Sequence, residues 1–133
     1  MATSSAQVLY LDGVQIATGT VSVANQFSTN PFTIGGQDGS NYNFGGSISS
    51  VAVYNVTKTE QEIYALYSKG ITYNESSESG LVGLWRMGDD TSKAFPTIAD
   101  SSSNSNDGTM NSMASDDIVQ QMVAGYDMGA FES

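Results

Sequence analysis

The sequence predicts an all-β fold, an antiparallel β-sandwich or barrel, with one short helix near residues 60–69. Three observations carry that expectation. Apolar runs of four or five residues recur, Gly, Asn and Ser crowd the gaps between them, and one stretch has helical spacing. The 133 residues make one ordinary domain, and an apolar share of 39% suffices for a core. Charged residues are only 14%, against a usual share of about 25%, so the surface is polar and mostly neutral.

The elements follow in order. Val8-Leu9-Tyr10-Leu11 and Val14-Gln15-Ile16-Ala17-Thr18 flank Asp12-Gly13. An Asp-Gly pair between two strand-forming runs signals a hairpin, because both central residues of a type I′ turn need positive φ. Gly19 reads as the end of the second strand and Thr20-Val21-Ser22-Val23 as a third. Asn30-Pro31 breaks the chain before a further strand, Phe32-Thr33-Ile34, which Gly35-Gly36 closes. Residues 37–47 read as a polar, Gly-rich loop holding Tyr42 and Phe44. Ser50–Tyr54 is the clearest strand. Apolar groups on both its faces predict a central strand covered on each side.

The helix has a start, a face and a stop. Thr59 and Glu62 have capping-box spacing, and Ile63, Leu66 and Tyr67 fall on one side. Lys69 suits the last turn, and Gly70 suits a left-handed cap. Residues 71–79 read as a polar connector, and Leu81–Met87 as another strand. Asp100–Gly108 is nine consecutive turn formers. In 116–133, Ile118-Val119 and Met122-Val123 fit either a short strand pair or a helical turn.

Composition excludes several functions. Fourteen acidic residues against four basic ones give a net charge of −10, the wrong sign for nucleic acid or anionic lipid. Residues 1–70 hold a net −2 and residues 71–133 a net −8. There is no Cys and no His, which removes disulfides, thiolate and imidazole ligands, and His-based catalysis. No apolar run reaches the ~18 residues of a membrane span. Met1-Ala2-Thr3-Ser4-Ser5 lacks the basic and apolar regions of a secretory signal. The expectation is a chain that is cytosolic in origin or that reaches the outside, a virion surface or the extracellular space, by another route.

Leu9-Tyr10-Leu11-Asp12-Gly13-Val14, Phe32-Thr33-Ile34-Gly35-Gly36, Phe44-Gly45-Gly46-Ser47-Ile48, Val51–Asn55, and Thr59…Glu62-Ile63…Leu66-Tyr67 come in a definite order. Together they resemble the C-terminal half of a laminin-G-like, concanavalin A-like lectin/glucanase jelly roll. Gly80–Met87, Ile98–Ser102 and Asn106–Thr109 are similar to the N-terminal start of the same kind of domain. The halves therefore stand in permuted order within one domain, 1–133, joined by the connector 71–79. Three accounts of that order are open: a circular permutant, a fragment of a tandem array, or a small protein whose sheet edges are completed by a neighbouring copy.

The resemblance implies candidate sites. Asp100, Asn104 and Asp107 lie where some of these domains hold calcium, an ion that takes six to eight oxygens. Two departures stand beside that match: Ser49-Ser50 replaces an acidic position, and Ser103 replaces a glycine. Asn41, Tyr42 and Phe44 are the candidate carbohydrate contacts. Trp85 and Tyr126 are also possible stacking residues, but an apolar strand makes Trp85 a core residue first. Asp89-Asp90 is poorly placed for glycoside hydrolysis, which needs two acids flanking one bond. Met110, Met113, Met122 and Met128 suit adaptable packing at an interface. The expected function is non-enzymatic: a display module of a virion surface that forms a homo-oligomer or joins a protein shell. The alternative is a calcium-dependent lectin.

Overall fold

In the computed structural model, residues 3–23, 31–36 and 42–119 are described. The strands are β1 (Thr3–Leu11), β2 (Val14–Val23), β3 (Val51–Tyr54), β4 (Leu81–Trp85), β5 (Thr97–Ile98) and β6 (Gly108–Thr109). One helix, α1, spans Glu60–Lys69, and single 3-10 turns occupy Glu75–Ser77 and Ser115–Asp117. Pairing is antiparallel throughout, β1 with β2, β3 with β4, and β5 with β6. This is the strand-dominated, one-helix architecture that the sequence predicts. The chain gathers into two compact units. The described residues up to Ile34 join Lys58–Gly70, and Gly35–Thr57 joins the described residues from Ile71 onward.

The first unit is a long hairpin with α1. Asp12 and Gly13 both have positive φ, 52° and 77°, as a type I′ turn requires. The turn fixes the register at Leu11 opposite Val14. Gly19 does not end β2, contrary to expectation. It sits opposite Gln7, and the strand runs on to Val23, so Thr20–Val23 is the same strand and not a third. A register shift pairs Tyr10 with Gln15 and Leu9 with Ala17, which leaves Ile16 as the extra residue of a bulge.

The helix begins as its sequence dictates. The Thr59 hydroxyl accepts from the Glu62 amide at 3.2 Å, and the Glu62 carboxylate accepts from the Thr59 amide at 2.8 Å. It ends differently in detail. Gly70 has positive φ but ψ of 172°, which is outside the left-handed helical region, while its amide still donates to Tyr67 O at 3.1 Å. Tyr64 and Tyr67 cover the hairpin turn. A methyl at Gly13 would stand 3.1 Å from ring carbons of both. Gly13→Ala combines that crowding with a left-handed backbone, and a loss of about 2 kcal/mol is expected. A urea titration followed by circular dichroism checks it.

In the second unit β3 and β4 pair Val51 with Trp85, Ala52 with Leu84 and Val53 with Gly83. All four β3 residues are half-buried, and among the described residues β3 pairs with β4 alone. It is not the fully covered central strand expected from its apolar faces. Phe32-Thr33-Ile34 forms no strand either. Phe32 and Thr33 are exposed, and Ile34 leads into Gly35. β4 stops at Trp85, two residues early, because the Asp89 amide turns back to Arg86 O at 3.0 Å. The 71–79 connector is built rather than free. Asn74 caps the 3-10 turn at Glu75–Ser77, and the Tyr73 hydroxyl donates to Glu78 at 2.7 Å. Among the described residues the buried apolar side chains are Leu84, Trp85 and Ala99. Ile118 is half-buried and extended where the 3-10 turn at Ser115–Asp117 ends, so Ile118-Val119 forms neither the helical turn nor a strand. Met122-Val123 lies outside the described residues.

Candidate functional site

The densest polar chemistry lies where β4 meets the segment after β5. Trp85 and Asp100 form an isolated antiparallel bridge, and the Ser101 amide donates to Leu84 O at 2.7 Å. This places the Asp100 side chain, 7% exposed, against the backbone of β4. Its Oδ1 accepts from the amides of Leu84 at 2.8 Å and Ser102 at 2.9 Å. Its Oδ2 accepts from the Asn106 amide at 2.8 Å and the Ser102 hydroxyl at 2.8 Å. Two carboxylate oxygens offer about four acceptor sites, and all four are filled.

The rest of the loop is fastened similarly. The Asn104 side chain donates its amide to Val82 O at 2.8 Å. Asp107 accepts from the Asp100 amide at 3.0 Å and pairs with Lys93 at 3.1 Å. The Trp85 indole donates to Asn106 O at 2.9 Å. The ring lies over Gly83, where a methyl would stand 2.6 Å from it, so the residue two before the tryptophan must lack a side chain. The three residues singled out as calcium ligands thus do gather in one loop. They gather through hydrogen bonds to the protein, and among the described residues no group of three or more carboxylates is placed to hold a metal.

These contacts set the titration behaviour. Burial works to raise the Asp100 pKa, but the amides of Leu84, Ser102 and Asn106 and the Ser102 hydroxyl outweigh it and leave it lowered. Asp90 is lowered chiefly by the Ser101 hydroxyl, and Asp107 chiefly by the Asp100 amide. Tyr54 is raised, first by burial and then by the Glu75 carboxylate that its hydroxyl meets. A lowered carboxylate stabilises the fold above its unfolded pKa of about 4, and that contribution is lost as pH falls through the folded value. A raised tyrosine contributes fully below its unfolded pKa of about 10 and is lost above it. The expected urea midpoint is therefore flat between about pH 5 and 9 and falls on both sides. A pH series of titrations checks it.

The carbohydrate candidates are placed differently. Tyr42 has φ of 56° and is 85% exposed, and Phe44 is 61% exposed. The Phe44 amide donates to Gly35 O at 2.7 Å, and its ring folds back over Gly46. Asn41 and Tyr126 lie outside the described residues. Asp89 pairs with Arg86 at 3.6 Å, and Asp90 accepts from the Ser92 amide at 3.0 Å and from Ser101. Sequence reasoning missed the Tyr54–Glu75 contact. The only signal for it was a polar, tyrosine-bearing connector 71–79, and nothing there gave a distance to β3.

A family model described as the concanavalin A-like lectin/glucanases superfamily matches residues 2–64. The match spans the hairpin, β3 and the first half of α1. No curated protein and no solved structure matches the chain.

Proposed function

We propose, for a chain whose residues 2–64 match the concanavalin A-like lectin/glucanases superfamily, a non-catalytic role in recognition and assembly. The context that suits it is display on a larger protein shell such as a virion surface. One observation carries this reading. Six acidic side chains of the second unit hold the fold together: Asp100 and Asp107 fasten the loop, Asp89 and Asp90 hold the turn after β4, and Glu75 and Glu78 meet tyrosines. Glycoside hydrolysis needs two carboxylates converging on one bond. The hollow bordered by Gly88, Lys93, Thr97, Ser115 and Ile118 has one acid, Asp90, at its wall.

A second reading, a glycan-binding module, rests on Tyr42 and Phe44. Two exposed aromatic rings in a Gly-rich loop suit stacking on the apolar face of a sugar. A glycan array, run with and without EDTA, and an oligosaccharide cleavage assay test both. Release of cleaved product overturns the non-catalytic reading. Glycan binding that Tyr42→Ala and Phe44→Ala abolish puts the second reading first. Binding that EDTA removes supports a calcium site in the loop.

A further inference from the structure

We infer that β1 is an assembly edge, and that its occupant is β1 of a second copy of this chain, paired antiparallel about a two-fold axis. The inference rests on the assembly reading above and names its partner. The hairpin is long, nine and ten residues, no third strand pairs with it among the described residues, and a lone two-stranded hairpin is marginally stable in water. The register puts Leu9, Leu11, Val14, Ala17 and Val21 on one face. That face is open: Leu9, Leu11 and Val14 are 58%, 60% and 56% exposed. Helix α1 covers the turn at Gly13 and leaves these residues uncovered.

The two outer edges of the hairpin are unequal. β2 carries the Ile16 bulge and Gly19, features that bend a strand and weaken further pairing. β1, TSSAQVLYL, has no bulge residue of its own, no Gly, no Pro and no charge. Natural edges are protected by those devices, and β1 has none of them.

Charge selects the occupant. Residues 3–23 hold one charged side chain, Asp12, at the turn, while residues 71–133 carry a net −8. A charged partner surface finds nothing to pair with on this edge, and a neutral strand does. The β1 of another copy is such a strand, and an antiparallel pairing of identical strands is two-fold by construction. Centred on Gln7, it sets the two Asp12 residues at opposite ends, about 34 Å apart at ~3.4 Å per residue, beyond a Debye length of about 8 Å. The product is a four-stranded sheet with Ser5 and Gln7 of both copies at its centre and the apolar Leu9, Leu11 and Val14 clusters at its two ends.

The chain has no natural cysteine, so the geometry can be read by single-cysteine scanning. Light scattering of the full chain should show a dimer or a multiple of it. Oxidation of single cysteines placed from Ser5 to Leu11 should cross-link copies at one or two adjacent positions near Gln7. Cysteines at Ala17, Thr18 and Thr20 of β2 should give none. Gln7→Lys, at an exposed position, should weaken association at least tenfold with circular dichroism unchanged. A wild-type monomer at every concentration, or cross-linking confined to β2, overturns the inference. Neither result bears on the absence of cleavage activity, so failure of the pairing and failure of the non-catalytic reading are distinguishable.

Discussion

Asp100→Ala is expected to destabilise the second unit by about 3–5 kcal/mol, enough to unfold a domain of ordinary stability. The carboxylate is 7% exposed and accepts from the amides of Leu84, Ser102 and Asn106. Alanine leaves those donors without an acceptor, and an unsatisfied buried donor costs about 1–3 kcal/mol. Asp100→Asn retains the shape and one acceptor oxygen. Its NH2 group, however, meets another donor whichever way the amide turns, so an intermediate loss is expected. Urea titration with tryptophan fluorescence measures both, since Trp85 is the one tryptophan and sits beside the loop. A midpoint for Asp100→Ala within about 0.5 kcal/mol of the parent would remove the fastening role. The same filled acceptors imply that millimolar calcium leaves the parent midpoint unchanged, and a clear rise would show that the ion displaces the amides.

Trp85→Ala is expected to cost about 3–5 kcal/mol, the usual range for removing a buried aromatic side chain. Trp85 is 8% exposed, beside Leu84 at 0% and Ala99 at 3%. With so few buried apolar residues in the described chain, one large ring is a large part of what holds the second unit. Trp85→Phe should separate the contributions. It keeps an aromatic ring over Gly83 but loses the indole donor to Asn106 O, so a smaller loss of about 1–2 kcal/mol is expected. Circular dichroism replaces fluorescence for both variants. Equal stability of Trp85→Ala and the parent would mean that the core lies elsewhere.

The fold was most legible where the physics is local. Asp12-Gly13 specified its turn because few residue pairs accept two consecutive positive φ values. Thr59 and Glu62 specified the helix start because each side chain satisfies the backbone of the other. Gly19 misled because a glycine weakens a strand without ending it when the partner strand continues, as β1 does opposite it. Phe32-Thr33-Ile34 misled because an apolar run becomes a strand only where another strand offers hydrogen bonds, and none pairs with it among the described residues.

The candidate site was legible as a place and not as a mechanism. Composition marked Asp100–Gly108 as a loop dense in oxygen ligands, and oxygens alone suit a cation as well as they suit amide donors. Which of the two they meet depends on β4, 16 residues away in the chain, whose Leu84 amide and Val82 carbonyl face the loop. The sequence by itself determined the turn, the helix cap, the antiparallel β character and the negative charge, each set by neighbouring residues or by composition. The tertiary structure alone decided that Trp85 lies over Gly83, that Tyr54 meets Glu75, and that Asp100 holds backbone amides, because those contacts join segments that no local rule connects.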